Sequence, residues 1–211
     1  MKKSLKINSP VLWLKNFPWK KKKDHKYSRG KLIIFGSQIN MTGSTILSSE
    51  SALRVGTGSV KIICSKKTLP IYSSKFPSVL KEEINNLNSL KKLISKEKNS
   101  VFLIGPGAGA NQFTKKKTKL ILKNIKYTII DADGLTCFKN NTKELYKLLD
   151  KNKIITPHIK EFHIIFPMIS KKITNYEKIV KASKICKCNI VLKGSNTLIC
   201  SSTENIVLNK H

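Results

Sequence analysis

Beyond residue 30 the chain alternates between two apolar patterns. Short, largely apolar runs occupy residues 31–35, 60–64, 101–104, 127–130, 154–155 and 190–192. Between them lie longer stretches in which apolar residues recur every three or four positions. The first pattern predicts strands buried on both faces, the second amphipathic helices. Helices are expected over 44–55, 87–94, 112–122, 143–149, 159–166 and 175–186, the first with Ile46, Leu47, Ala52, Leu53 and Val55 on roughly one face. Residues 66–81 read as a longer loop, 198–200 as a strand and 206–208 as an edge strand. Residues 1–30 are Lys-rich, with scattered Leu12, Trp13, Phe17 and Trp19, and read as a lead-in to a single domain over 31–211. No internal repeat or linker interrupts that domain. Strands alternating with helices predict an α/β protein whose mostly parallel sheet carries helices on both faces.

In open α/β sheets ligands bind at the carboxyl ends of the strands, and here those ends carry distinctive strings. Gly105-Pro106-Gly107-Ala108-Gly109-Ala110 fits G-x-G-x-x-A between a strand and a helix, with Asp131 closing the next strand. Such a loop can cradle a pyrophosphate on backbone N–H groups; it also suits any tight turn that needs small residues, and Pro106 removes one donor. Asp131-Ala132-Asp133 places a carboxylate where it can hold a ribose hydroxyl or Mg²⁺, while Asp133 competes as the N-cap of the next helix. In Thr156-Pro157-His158-Ile159-Lys160-Glu161, Thr156 is expected to cap the following helix and Glu161 to complete a capping box. His158 then projects toward the crevice as a donor to a substrate amide or phosphate. Lys193-Gly194-Ser195-Asn196-Thr197 offers a cation, a flexible turn and polar side chains to nucleotide phosphates; it reads equally as a plain hairpin turn.

Charge changes this picture little. The formal net charge is +29, from 41 basic and 12 acidic residues. Only Arg29 and Arg54 are arginine, however, and the remaining 39 basic residues are lysine. A selected nucleic-acid reader would be richer in arginine, which makes the bidentate contacts. The excess is read as solvated surface, including the runs Lys20-Lys21-Lys22-Lys23 and Lys115-Lys116-Lys117. The five cysteines are odd in number and lie mostly in apolar runs, so buried reduced thiols and a cytoplasmic protein are expected. Cys186-Lys187-Cys188 has no second cysteine pair at zinc spacing. The apolar run at 11–14 is too short for a signal peptide or a membrane span.

Taken together, the strings resemble the ADP/ATP-dependent NAD(P)H-hydrate dehydratases. The resemblance opens at Asp24-His25-Lys26-Tyr27-Ser28-Arg29-Gly30. It continues through Gly36-Ser37, Thr42-Gly43-Ser44 and Ala52-Leu53-Arg54-Val55-Gly56-Thr57-Gly58, then through the four strings above in family order. It implies a ribokinase-like three-layer α/β/α sandwich. It implies a hydro-lyase that restores NADHX or NADPHX, in the S form, to the reduced coenzyme with ATP or ADP as co-substrate and Mg²⁺. By that likeness Thr42, Gly43, Ser44, Gly107, Gly109, Asp131 and His158 would line the hydrate site. Lys193, Gly194, Ser195, Asn196 and Thr197 would contact the adenine nucleotide. It further implies a possible homo-oligomer and a separate epimerase, with no specific nucleic acid and no membrane partner.

The chain departs from the family pattern in three places. Thr-Gly-Ala is Thr-Gly-Ser here, Lys160 stands where a glycine is usual, and the later Gly-Thr-Gly-Asp motif, with the acidic catalytic residue, is not found after Gly194. The catalytic residue is therefore unassigned. The expectation is a domain lacking its C-terminal part, with weak nucleotide binding and little turnover alone. The alternatives are a non-catalytic nucleotide-binding remnant or a Rossmann-type dinucleotide-binding fragment.

Overall fold

The computed structural model describes residues 5–26 and 28–210. Its strands and helices follow in the order β1 (Lys6–Ile7), β2 (Lys31–Phe35), α1 (Thr42–Arg54), β3 (Ser59–Cys64), α2 (Leu69–Lys75), β4 (Leu80–Glu83), α3 (Leu87–Lys96), β5 (Val101–Ile104), α4 (Gln112–Asn124), β6 (Thr128–Ile130), α5 (Asp133–Thr136), α6 (Thr142–Tyr146), β7 (Lys153–Ile155), α7 (Ile159–Ile165), α8 (Asn175–Cys186), β8 (Asn189–Leu192), β9 (Asn196–Cys200) and β10 (Ile206–Lys210). The described strands form one sheet, in the order β1-β10-β9-β8-β7-β6-β5-β2-β3-β4. From β4 to β8 all neighbours are parallel; β9 runs antiparallel to both β8 and β10.

Helices cover both faces, giving the expected three-layer α/β/α sandwich. β2 shows why its apolar run is unbroken: Ile33 and Phe35 enter the larger core, while Ile34 enters the smaller one on the other face. The larger core joins Phe102, Ile104, Ile130 and Ile155 of the sheet to Leu90, Ile121, Phe162 and Ile179 from the helices of that side. The smaller core sets Val60, Ile62 and Leu103 against Ala52 of α1 and Tyr72 of α2.

Several expectations are corrected. Residues 66–81 are not a loop but contain α2 and β4. β4 reads Leu-Lys-Glu-Glu because it is an edge strand, and Lys61 of β3 pairs with its Glu82 at 2.7 Å. Helix α1 does not bury the face expected of it. Thr45, Ser49 and Ala52 are buried, whereas Leu47, Leu53 and Val55 are exposed. Small residues let α1 lie close over β2 and β3. Along its outer flank a cleft of about 710 Å³ opens above β5 and β6, floored by Leu103 and Ile129. Part of the lead-in joins the sheet, as β1 pairs parallel with β10.

The five cysteines are free thiols, and all but Cys137 are buried. Among the described residues no helix is long and apolar enough to cross a membrane.

Helices α4 and α6 are joined by an ion-pair cluster in which Glu144 accepts from Lys115 at 2.8 Å and from Lys119. Lys115 first, then Lys119, lowers the Glu144 carboxyl from an ordinary 4.5 to about 2. A depressed carboxyl stabilises the fold above its unfolded-state value and loses that effect as pH falls through its folded-state value. The contribution should therefore be complete above about pH 4.5 and fade toward pH 2. Urea unfolding of Glu144→Gln against wild type should show a stability gap at neutral pH that closes over this window. A gap independent of pH would remove the ion pairs as its cause.

Candidate active site

The parallel strands hand over to their loops along one edge through a ladder of backbone bonds. The N–H of Gly36 donates to the Ile63 carbonyl at 2.7 Å, Asp131 to Ile104 at 3.1 Å, Thr156 to Ile130 at 3.1 Å and Lys193 to Pro157 at 2.9 Å. All four strand-end strings thus converge. The chain also changes direction here: the loop after β2 leads to α1 on one face, and the loop after its neighbour β5 leads to α4 on the other. Loops that diverge at such a switch point leave the crevice in which α/β proteins bind ligands.

The two diverging loops are tied to each other. Ser37, 6% exposed, contacts the Pro106 carbonyl at 2.7 Å, Ser44 Oγ at 2.6 Å and Thr45 Oγ1 at 2.8 Å. The Gln38 N–H donates to the Gly107 carbonyl at 2.8 Å. Ser44 also donates to the Met41 carbonyl at 2.9 Å, so the hydroxyl that distinguishes Thr-Gly-Ser is absorbed locally. Gly107 has φ +62°, and a Cβ there would press on Met41 and Ser37. Gly105 has φ +124°, and a Cβ there would run into the Asp131 carbonyl. Gly43 differs, as nothing lies within 4 Å of a Cβ built on it.

Asp131 and Asp133 hold the centre. Lys193 Nζ donates to Asp131 Oδ1 at 2.7 Å, as does the Ala132 N–H at 2.9 Å. Asp133 is not an N-cap. It is the first residue of α5, and its Oδ2 accepts from the Gly109 N–H at 2.8 Å, joining the β5 and β6 loops. That N–H is accordingly engaged by protein.

The cap of α7 is His158 and not Thr156 as expected. His158 Nδ1 accepts from the N–H groups of Lys160 at 3.1 Å and Glu161 at 3.2 Å, and Glu161 Oε2 accepts from the His158 N–H at 2.9 Å. An accepting Nδ1 assigns the ring proton to Nε2, which sits 3.3 Å from Glu161 Oε1. The imidazole is thus fixed in orientation, with its side chain half exposed. Lys160 is exposed.

Lys193 to Ser195 form the β8–β9 hairpin turn, closed by the Leu192–Leu198 pair, while Asn196 and Thr197 open β9 and Thr197 Oγ1 donates to the Gly194 carbonyl at 3.3 Å. The opening motif lies elsewhere: Arg29 Nε donates to the Gly56 carbonyl at 2.6 Å, at the end of α1. Tyr27 of that motif lies outside the described residues. Arg29 nevertheless lines the cleft beside α1 that Pro106, Asp131 and Thr156 also border.

Among the described residues no three His, Cys, Asp or Glu side chains group closely enough to hold a metal ion. One carboxylate beside a lysine suits Mg²⁺ that arrives on phosphate oxygens, because Mg²⁺ is commonly held by one or two carboxylates plus substrate phosphates.

Sequence reasoning missed Gln38, whose contribution is a backbone N–H, and Lys117, which was read as solvated. Lys117 instead lies over the Phe113 ring, 4.9 Å from its centroid, where burial holds its ammonium below the ordinary lysine range.

Comparison with known proteins bears on this edge. The family model for NAD(P)H-hydrate dehydratase matches residues 31–211. The chain is similar to the ADP-dependent (S)-NAD(P)H-hydrate dehydratase of Staphylococcus aureus, 27% identical over 196 residues, which cover 92% of this chain and 69% of that one. It is similar too to the bifunctional NAD(P)H-hydrate repair enzyme Nnr of Dictyoglomus turgidum, 27% identical, covering 88% of this chain and 38% of the relative. The chain therefore spans between about a third and about two thirds of these relatives' length. Among solved structures, a ribokinase-like superfamily protein from Enterococcus faecalis superposes with a TM-score of 0.82 at 19% identity, covering 98% of this chain and 72% of that one. An ADP/ATP-dependent NAD(P)H-hydrate dehydratase from Bacillus subtilis, co-crystallized with ATP/Mg²⁺, gives 0.79 at 20%, covering 97% and 72%. At these identities the structural likeness speaks for the fold.

The glycines at this edge differ in what they should tolerate. Gly105→Ala combines a forbidding φ with a backbone collision, so its cost should exceed the roughly 1–3 kcal/mol of backbone strain alone. Gly43→Ala fills open space in a helix and should stabilise by up to about 1 kcal/mol. Urea midpoints of the two variants should move in opposite directions; a shared direction would contradict the geometry.

Proposed function

The chain belongs to the NAD(P)H-hydrate dehydratase family, and from that membership we propose that it serves the nucleotide-dependent dehydration of the S form of NADHX or NADPHX to the reduced coenzyme. The observation that carries the reading is the Asp131–Lys193 pair at 2.7 Å. It joins the string assigned to the hydrate with the string assigned to the nucleotide across the end of β7.

Dehydration must expel a hydroxyl, a poor leaving group, together with a proton from a neighbouring position. Transfer of the terminal phosphoryl group of ATP or ADP to the hydroxyl, with release of ADP or AMP, would make a phosphate ester, and loss of phosphate together with the neighbouring proton, taken up by phosphate or solvent, would restore the nicotinamide ring. The residues present would do the positioning. Thr42, Gly43 and Ser44 begin the thirteen-residue helix α1, whose N-terminal amides and dipole favour an anion. Gly43 leaves the surface open there. Gly107 and Gly109 let the β5 loop pack closely on Ser37, Met41 and Gln38, and would shape the hydrate site through those neighbours. His158 would present an imidazole whose orientation is fixed by the α7 cap. The Lys193 ammonium, with the stretch from Gly194 through Ser195 and Asn196 to Thr197, would neutralise nucleotide phosphates. Asp131 is the carboxylate that would meet Mg²⁺ carried on them. Asp131 and Asp133 are both engaged by protein donors, so both are read as positioning groups, and neither is assigned as the base of the elimination.

The same reading takes residues 31–211 as the family domain behind a basic lead-in. It places the chain in the cytoplasm, in possible homo-oligomers, supplied with the S form by a separate epimerase.

Two measurements test the proposal. S-NADPHX incubated with the protein, ATP or ADP and Mg²⁺ should regain absorbance at the reduced-nicotinamide band only slowly, because no base of the elimination is assigned among these residues, and calorimetry should show adenine-nucleotide binding that Lys193→Met weakens by about tenfold or more, the size expected for a charge-assisted bond. Absence of binding heat with ATP, ADP and AMP alike, on a sample shown to be folded, would end the reading. Gly43→Ala separates site from scaffold, since it should bind the hydrate less well while unfolding at higher urea.

A further inference from the structure

A second cavity, of about 300 Å³, opens on the α4 side of the same edge, between the ends of β2, β3 and β4. Gln38 and Ala108 border it, and these belong to the two loops tied at the switch point. Phe113 and Ile84 give it apolar wall, Ser65 and Asn85 polar wall. Lys117 is the one cation among its lining residues, and no carboxylate lines it.

Lys117 is singled out by what it lacks. Lys115 and Lys119, two positions to either side on α4, both pair with Glu144. Residues two apart on a helix face different ways, so Lys117 cannot share that carboxylate, and among the described residues it forms no ion pair. Its ammonium lies over the Phe113 ring and partly out of water, and that burial disfavours its charge. An anion entering the cavity would reverse that penalty.

Building on the family reading, we propose that this cavity is a second subsite of the candidate active site, in which Lys117 holds a phosphate group of the dinucleotide hydrate. The group is either the 2′-phosphate of the NADP form or the pyrophosphate shared by both forms. The reacting ring would lie on the Asp131 and His158 side of the switch point, and the phosphate on the α4 side. The Ser37–Pro106 and Gln38–Gly107 joint would stand between them.

The test uses NADPH and NADH, the products of the proposed reaction, titrated by fluorescence into the full chain. Wild type, Lys117→Gln, Lys117→Arg and Lys116→Gln are compared. Lys116 is exposed, so its variant controls for the loss of one charge from a strongly basic protein. Lys117→Gln should weaken NADPH binding by about tenfold or more relative to Lys116→Gln. Lys117→Arg, which keeps the charge, should retain most of it, so that the loss in Lys117→Gln reflects the missing charge and not a disturbed fold. A loss confined to NADPH identifies the 2′-phosphate; an equal loss for NADH identifies the pyrophosphate. Wild-type binding of both coenzymes that Lys117→Gln leaves unchanged would overturn the subsite and leave the family reading standing. A wild-type chain that binds ATP but neither coenzyme would overturn both.

Discussion

Ala132 adopts φ 43° and ψ −118°, a conformation that costs a residue with a side chain of order 1–3 kcal/mol. The edge of the sheet is arranged around keeping it there. The carboxylate of Asp131 takes the Ala132 N–H, and the Asp131 carbonyl takes that of Gly134 at 3.0 Å. Asp133, turned outward by the same kink, reaches across to Gly109. Gly105 must be glycine because the kinked backbone lies where its Cβ would be. The turn thus sets the position of the loop before it and, through Lys193, of the hairpin two strands away. A relaxed turn at Ala132 would release three loops together.

The imbalance of charge has a structural counterpart. With 12 acids against 41 bases, buried or bridging carboxylates are shared. Glu97 meets both Lys31 and Lys61, and Glu144 meets both Lys115 and Lys119. Exposed single pairs contribute little to stability, but here each acid links two elements, β2 with β3 or α4 with α6. Removing one such acid leaves two lysines facing each other.

The parallel sheet and its functional edge were legible in the sequence because apolar runs buried on both faces have few polar interruptions, and each stopped at a string of Gly, Asp, Pro or Lys. Helix α8 was legible to the residue, since Thr174 and Glu177 form a capping box. The less legible parts share one cause, which is that the deciding contact is tertiary. β4 looks polar because its lysine and glutamates answer charges on β3. α1 looks amphipathic on its large residues yet packs on its small ones. His158 serves as cap because Glu161 is 7% exposed and needs the His158 N–H. Lys117 lies in a run of three lysines whose members the helix sends in different directions.

Lys193 has one ammonium and two claimants. In this structure Asp131 holds it; a phosphate bound at the hairpin would draw on the same charge. Whatever occupies Lys193 therefore changes how strongly Asp131 is neutralised, and through it the stiffness of the Ala132 turn. By thermodynamic linkage the influence runs both ways with equal free energy. A ligand that altered the β5–β6 loops through Asp131 would alter affinity at the β8–β9 turn, and a ligand at that turn would act back on the loops by the same factor. The affinity of a ligand at either place would then not be a fixed property of its own pocket.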